Sequence, residues 1–535
     1  MLKYIFVTGG VCSGLGKGIA ASSIGMLLKS AGYKVVIQKM DPYLNIDPGT
    51  MNPYQHGEVF VTHDGAETDL DLGHYERFID EELSAISSIS TGQIYRDVLG
   101  KERSGDFLGK TIQIIPHITN AIKDSIRKCA KKSRVDILIC EIGGTVGDIE
   151  GEPFLEAARQ LHNEEGHHSV MFIHLVLLPY LRNSDELKTK PAQASVRELR
   201  RSGINADIIL CRADEKIAKN HLEKIALFCD VSVAAVVPAP TVNSIYEVPV
   251  NFENYKITKL ITKHLDLSYR KPNLKEWNRF IKKINSKLPV INIALVGKYM
   301  ELKDAYLSVA ESVKSAAYFN NFSANLVWIN SDKLEADNKF AEKEWDKLKN
   351  AKGVIVMGGF GKRGIEGKIA VAKYARENKV PYLGICLGMQ IAAIEFARNV
   401  LGLKNANSTE FDNKTTQPII YLMPDQRGIY KKGGTMRLGD YDCILREGSK
   451  SFAAYRNKKI VERHRHRYEF NSAYEKKLEA KGMVVTGRNP RSGLCEILEN
   501  INHPWFVGVQ FHPEFKSQPL APHPLFREFI KVCVK

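Results

Sequence analysis

Two stretches of this chain carry residue types that do chemistry at telling spacing. The first reads Thr8-Gly-Gly-Val-Cys-Ser-Gly-Leu-Gly-Lys-Gly-Ile19. An apolar run leads into it and a helical pattern leads out. Glycines let successive backbone N–H groups turn toward a phosphate, and a helix N-terminus adds positive potential. Lys17 supplies a mobile charge for β- and γ-phosphates. The ordinary P-loop has glycine at the position of Val11 and a hydroxyl residue at that of Gly18. With no hydroxyl after Lys17 to hold Mg2+, carboxylates must do so. Asp71, in Glu67-Thr-Asp-Leu-Asp-Leu-Gly73, and Glu141, closing the apolar run 135–141, are the candidate metal ligands. The competing readings are a glycine-rich turn without a ligand, and acids that merely cap or face solvent.

The second stretch is Gly384-Ile-Cys-Leu-Gly388, a G-x-C-x-G sequence between a strand pattern and a helix pattern. That is a nucleophile elbow with cysteine in place of serine. The turn exposes the sulfur, and a helix N-terminus favours a thiolate. Far along the chain, Val507-Gly-Val-Gln-Phe-His-Pro-Glu514 puts a histidine at a strand end with an acid two residues on. His512 can serve Cys386 as base while Glu514 orients the ring. A lone buried cysteine is usually core, and a lone histidine beside proline is usually a turn. The pair at element ends of one α/β region is far more specific.

The elements that must position these residues alternate. Strands are expected at 4–8, 34–39, 135–141, 169–178, 207–211 and 233–237, and helices at 17–31, 192–202 and 215–228. Buried apolar strands alternating with helices predict a parallel, doubly wound sheet. Residues 267–290 are charged and hold Pro272 and Pro289, which predicts a linker. A second α/β start follows, with strands at 291–296, 354–357 and 382–385 and helices at 303–319 and 389–398. The C-terminal part turns β-rich. The expected domains are therefore 1–266, a linker at 267–290, and 291–535.

Composition sets outer limits. Of 535 residues, 44% are hydrophobic and 26% charged, enough for a sizeable core in each domain. No stretch approaches the ~18–20 apolar residues of a spanning helix. The first residues read as a strand rather than a targeting segment, so the cytoplasm is the expected compartment. Nine cysteines without CxxC spacing indicate neither a zinc site nor a disulfide framework. The net charge of +15 has no aromatic-interleaved basic stripe. It is read as a lysine-rich solvated surface partly serving polyanionic nucleotides, with neither nucleic acid nor membrane as partner.

Taken jointly, the motifs resemble a known family. Gly358-Gly-Phe-Gly361, Gly384 to Gln390 and His512-Pro-Glu514 are similar to a class I glutamine amidotransferase. The stretches 9–18, Asp41 to Thr50, Gln55 to Phe60, Gly65 to Phe78 and Glu141 to Glu150 closely resemble CTP synthases, in that family's domain order and over essentially the whole chain. The resemblance implies an α/β fold of two doubly wound domains, a P-loop-like synthetase domain and a C-terminal class I glutamine amidotransferase domain. It implies a ligase that phosphorylates UTP at O4 with ATP and displaces the phosphate with ammonia from glutamine.

Carried over position by position, it gives ATP contacts at Ser13, Gly14, Leu15, Gly16, Lys17, Gly18, Lys39, Asp71 and Val242. UTP or CTP would meet Ser13, Asp148, Ile149, Glu150, Lys188, Thr189, Lys190, Pro191, Ala192, Gln193 and Lys224. Glutamine would meet Gly358, Leu387, Gly388, Met389, Gln390, Glu410 and Arg467. Pro53, His56, Val59 and Arg363 would serve an ammonia passage and a GTP-linked lid. Mg2+ would be held by Asp71 and Glu141. GTP activation, CTP feedback inhibition, a homotetramer and filaments are the family's further implications. The chain departs from the family pattern at His63, Ala192, Ala194, Thr241 and Asn243, which bears on UTP and adenine affinity rather than on reaction class. Other ATP-dependent amidotransferases, such as cobyrinate amide synthases, share the two-part build but are not expected to carry the segment 188–193. GMP synthases carry the amidotransferase half first. A filament protein with a dead site would not retain Lys17, Cys386, His512 and Glu514.

Overall fold

The computed structural model describes residues 2–335, 339–423, 426 and 433–535. The chain divides into two compact units, one of residues 1–47 and 71–282, the other of residues 48–70 and 283–535.

The first unit is built on seven parallel strands: β1 (Lys3–Gly9), β2 (Val35–Asp41), β3 (Ser88–Ser90), β4 (Ile137–Ile142), β5 (Val170–Leu177), β6 (Ile208–Ala213) and β7 (Val236–Pro240). Their order is β7-β6-β5-β1-β4-β2-β3, with Phe6 opposite both Cys140 and Phe172. All of β1, β2 and β4 is buried, the signature of a sheet covered on both faces. The order reverses beside β1, and the crevice beyond the C-terminal ends of strands at such a reversal is where ligands bind. Helices α1 (Lys17–Ser30), α2 (Asp71–Ile79), α3 (Glu152–Glu165), α4 (Lys190–Arg201), α5 (Lys219–Cys229) and α6 (Ile257–His264) belong to this unit. The run at 233–237 opens as a 3-10 turn, Val233–Ala235, and becomes a strand only at Val236.

Within the stretch expected to be a linker lies α7 (Lys275–Ile284). Trp277 and Phe280 are buried there, and the Trp277 indole N–H donates to the Tyr246 carbonyl at 2.7 Å. The lysines and arginine that suggest a linker are the solvated face of an amphipathic helix.

The main sheet of the second unit holds nine strands: β8 (Val290–Gly297), β9 (Ser323–Asn330), β10 (Gly353–Val356), β11 (Tyr382–Ile385), β12 (Arg437–Leu445), β13 (Lys459–His466), β14 (Met483–Arg488), β15 (Cys495–Asn500) and β16 (Phe506–Val509). Their order is β9-β8-β10-β11-β16-β15-β14-β12-β13. The first five are parallel and the rest antiparallel, so the β-rich C-terminal part extends the wound sheet instead of forming another domain. Helices α8 (Leu307–Phe319) and α9 (Leu387–Asn399) flank the sheet with two apolar cores. Among the described residues, no helix is long and apolar enough to cross a membrane.

Candidate active sites

The phosphate loop joins the end of β1 to α1. Val11, Gly14 and Gly16 have φ of 81°, 73° and 94°. Position 11 thus has the backbone that glycine favours, and Val11 adopts it at a steric cost. Lys17 Nζ donates to the Gly144 carbonyl at 2.7 Å, and burial lowers its pKa. The C-terminal ends of β2 and β4 bring Lys39, Asp41 and Glu141 together, and the start of α2 adds Asp71. Lys39 Nζ is bonded to Asp71 and lies 3.3 Å from Asp41 and 3.8 Å from Glu141. The Tyr75 hydroxyl donates to Glu141. Burial pushes Glu141 up despite Lys39. For Asp71 burial is the largest influence and acts upward, but the Lys39 charge and hydrogen bond, joined by His74 and Lys17, together outweigh it and hold the carboxyl below the usual range. Three carboxylates against Lys17 and Lys39 leave one negative charge in excess. Hard oxygen donors with surplus negative charge suit Mg2+.

The departure at Gly18 has a steric cause. A Cβ there would sit 2.1 Å from Asp71 Oδ1. The carboxylate occupies the space that a hydroxyl side chain takes in the ordinary loop.

Beside this loop is a cavity of about 150 Å3 lined by Gly14, Leu15, Gly16 and Val242 together with Arg212 and Phe252. Arg212 and Phe252 carry no motif in the sequence. The strand-end position of Arg212 is the one signal that could have singled it out. The segment 188–193 spans the turn into α4. Lys188 pairs with Glu186, Lys190 lies 5.7 Å from the Phe228 ring, and Gln193 donates to Thr189 at 3.1 Å. Pro191 is in the first turn and Ala192 is fully buried. Lys224 is exposed on α5. Among the described residues, none of these lysines is hydrogen-bonded or ion-paired to the phosphate loop. Asp148, Ile149 and Glu150 are exposed beyond β4, with Asp148 accepting from Thr145 N–H at 3.0 Å, and Ser13 is exposed in the loop itself.

In the second unit, Cys386 sits between β11 and α9 at φ 51°, ψ −100°. This strained backbone is an elbow, and its flanking glycines are required by close approach. A Cβ on Gly384 would be 2.6 Å from Gly388, and one on Gly388 would be 2.1 Å from the Val356 carbonyl. β16 pairs with β11 in parallel, so His512, three residues beyond β16, lies beside the elbow. His512 Nδ1 is 2.7 Å from Glu514 Oε1. Its Nε2 is buried with no hydrogen-bond partner among the described residues. Burial alone would lower the imidazole, yet the charges of Glu514 and Cys386 raise it from 6.5 to about 10. The Phe515 ring stacks on His512 at 5.1 Å.

A cavity of about 210 Å3 contains Gly358, Cys386, His512 and Glu514 and is also lined by Pro53 and Val59. His56 does not line it. Leu387, Gly388, Met389 and Gln390 form the first turn of α9. Gln390 donates to the Tyr468 carbonyl and to Gln510, which itself donates to Cys386 Sγ at 3.6 Å. Glu410 accepts from Gly361 N–H at 2.7 Å. Arg467 donates to Gln426 and Thr435 at 2.6 and 2.9 Å. Arg363 is 3.2 Å from Asp332.

Three basic side chains without a motif also pack around this region. Lys298 Nζ holds the Phe360 and Gly361 carbonyls. Lys368, fully buried, holds the Met357 carbonyl at 2.7 Å, and burial drops its pKa well below the ordinary lysine value. Arg465 pairs with Glu67 at 2.8 Å and lines the cavity. Only the Gly297-Lys298 step at a strand end signals any of them.

Residues 301–532 match the family model "Glutamine amidotransferase class-I" and residues 3–267 match "CTP synthase N-terminus". The class is thus a nucleotide-binding synthetase unit joined to a glutaminase. The chain is 56% identical to a CTP synthase of Caldanaerobacter subterraneus subsp. tengcongensis, over 100% of this chain and 98% of the relative. It is 55% identical to one of Clostridium acetobutylicum, over 99% and 98%. The solved glutaminase domain of Trypanosoma brucei CTPS, with bound acivicin, is 36% identical over 46% of this chain and 94% of that one, at a TM-score of 0.42. The chain belongs to the CTP synthase family. It is a ligase that uses ATP to aminate UTP to CTP with nitrogen from glutamine, in pyrimidine nucleotide biosynthesis.

Proposed function

We propose how this chain divides the reaction between its residues. Cys386 attacks the glutamine carboxamide, and His512, oriented by Glu514, passes its proton to the departing ammonia. The first turn of α9, Gly358, Glu410 and Arg467 hold the substrate, the Arg467 guanidinium matching a carboxylate. In the other unit the phosphate loop and Lys39 hold ATP, with adenine beside Val242. The γ-phosphoryl group passes to O4 of UTP, and ammonia then replaces phosphate at C4. Mg2+ bound by Asp71 and Glu141 would neutralise charge on the triphosphate. Lys17 steadies the transferring group, since phosphoryl transfer is mostly positioning and charge stabilisation.

The segment 188–193 with Lys224 receives the UTP triphosphate, and Asp148 to Glu150 take part in CTP inhibition. Arg363 and its loop form the lid through which GTP activates. Homotetramers that can extend into filaments, and a cytoplasmic location, complete the reading.

The observation that carries the proposal is the cavity holding Cys386 and His512 together with Val59. Ammonia released into neutral water becomes mostly ammonium, which has no lone pair, so an enclosed exit keeps it reactive. Val59→Phe narrows that exit. Glutamate and CTP are measured in one reaction. The expected result is near-normal glutaminase activity with a marked fall in CTP per glutamate. An unchanged ratio in the folded variant would refute the exit, and an equal loss of both activities would mean that Val59 is only core packing.

A further inference from the structure

The N-terminal ends of the first sheet's strands, opposite the phosphate loop, hold side chains to which the proposed reaction gives no role. His167 lies three residues before β5, Asp207 immediately precedes β6, His264 ends α6, and His162 lies in the last turn of α3. One ligand atom each from His167, Asp207 and His264 lies within 4.8 Å of the others. His162 Nε2 is 3.5 Å from His167 Nδ1.

Hydrogen bonding fixes the roles. His264 Nε2 is 3.1 Å from the Val170 carbonyl, which can only accept. That nitrogen therefore carries a proton, and in the neutral ring the Nδ1 lone pair faces outward. It faces Asp207 Oδ1 at 3.5 Å. A lone pair directed at a carboxylate oxygen is repulsive unless a proton or a metal cation joins them, so the pair is either an imidazolium–carboxylate bridge or two arms of a cation site. Asp207 Oδ2 meanwhile accepts from Phe172 N–H at 2.8 Å, so the carboxylate cannot swing away freely. A histidine tied by its far N–H to a carbonyl, beside an anchored carboxylate, is how metal ligands are oriented from behind.

We infer that His167, Asp207 and His264 form a binding site for a divalent transition-metal ion, with His162 placed to join as a fourth ligand. Two or three imidazoles and one carboxylate suit zinc or its neighbours rather than Mg2+ or Ca2+. Zn–N and Zn–O bonds are about 2.0–2.2 Å, so the ligands must draw in. His167 is exposed and has room to do so. The ion would tie the ends of α3 and α6 to the sheet, remote from Gly9, Asp41 and Glu141.

Two binding measurements test this on the full-length protein with Mg2+ in excess. Zn2+ is titrated calorimetrically, and Co2+ serves as a spectroscopic probe. The wild type is expected to bind a single equivalent with visible ligand-field bands of a low-coordinate site. No thiolate-to-cobalt absorption is expected, which separates it from metal on Cys386. His264→Ala should weaken binding at least about tenfold. The exposed His167→Ala, which leaves the fold undisturbed, should do the same while CTP synthesis stays unchanged. Asp207→Asn keeps an acceptor for Phe172 but removes the charge, and should also weaken binding. No uptake by the wild type, equal uptake by His167→Ala, or a spectrum dominated by thiolate would each overturn the site.

Discussion

At position 18 a single hydrogen atom is the side chain because Asp71 stands 2.1 Å from where a methyl group would be. Gly18→Ala must push Asp71 off Lys39. Displacing a positioning group by about 1 Å can cost about a hundredfold in rate. CTP synthesis should therefore fall about a hundredfold with either glutamine or ammonia as donor, while glutamine hydrolysis remains. Steady-state rates of CTP and glutamate formation read both. His512 makes a second residue-scale prediction. Its pKa is raised from 6.5 to about 10 by Glu514 and Cys386 against the effect of burial. A raised pKa means that the folded protein holds the proton more tightly than the unfolded chain. The stabilisation is complete below about pH 6.5 and is lost as pH climbs through about 10. Glu514→Gln removes the charge that sustains this. Its thermal destabilisation relative to wild type should be larger at pH 7 than at pH 10, and a constant difference across that range would contradict the pairing.

At the scale of elements, residues 48–70 leave the first unit's chain between β2 and α2 and pack with the glutaminase unit. Glu58 is the joint. It is buried, and its carboxylate accepts from Ser308 N–H at 3.2 Å and from the Ser308 hydroxyl at 2.5 Å. It thereby caps the first turn of α8 with negative charge from a distant segment. Glu58→Ala leaves that turn unsatisfied, at a cost of about 1–3 kcal/mol. It should also loosen the wall carrying Val59, so CTP per glutamate should fall together with the melting temperature. Glu58→Gln, which can still accept, should lose less of both. This joint was not legible beforehand. Apolar periodicity reports which face of an element is buried but not what it is buried against, and Glu58 has no motif. The phosphate loop and the elbow were legible because their chemistry depends on local spacing. Lys298, Lys368 and Arg465 were not, because their partners are backbone carbonyls or an acid far along the chain.

For the whole molecule, the proposed division gives each unit one half of a reaction whose only shared reactant is ammonia. Nucleotide binding is assigned to residues 1–47 and 71–282, and glutamine cleavage to the other unit, so each half should fail separately. Lys17→Ala should abolish CTP synthesis from both nitrogen donors, and its glutaminase site should still be competent. Cys386→Ala gives the most direct measurement: CTP formation from UTP and ATP with Mg2+, supplied either with glutamine or with ammonium at alkaline pH. Losing a covalent nucleophile costs several orders of magnitude. The account predicts that the glutamine-supported rate vanishes while the ammonia-supported rate stays near that of the wild type. Appreciable synthesis from glutamine in this variant, or loss of the ammonia-supported rate in a folded protein, would contradict it.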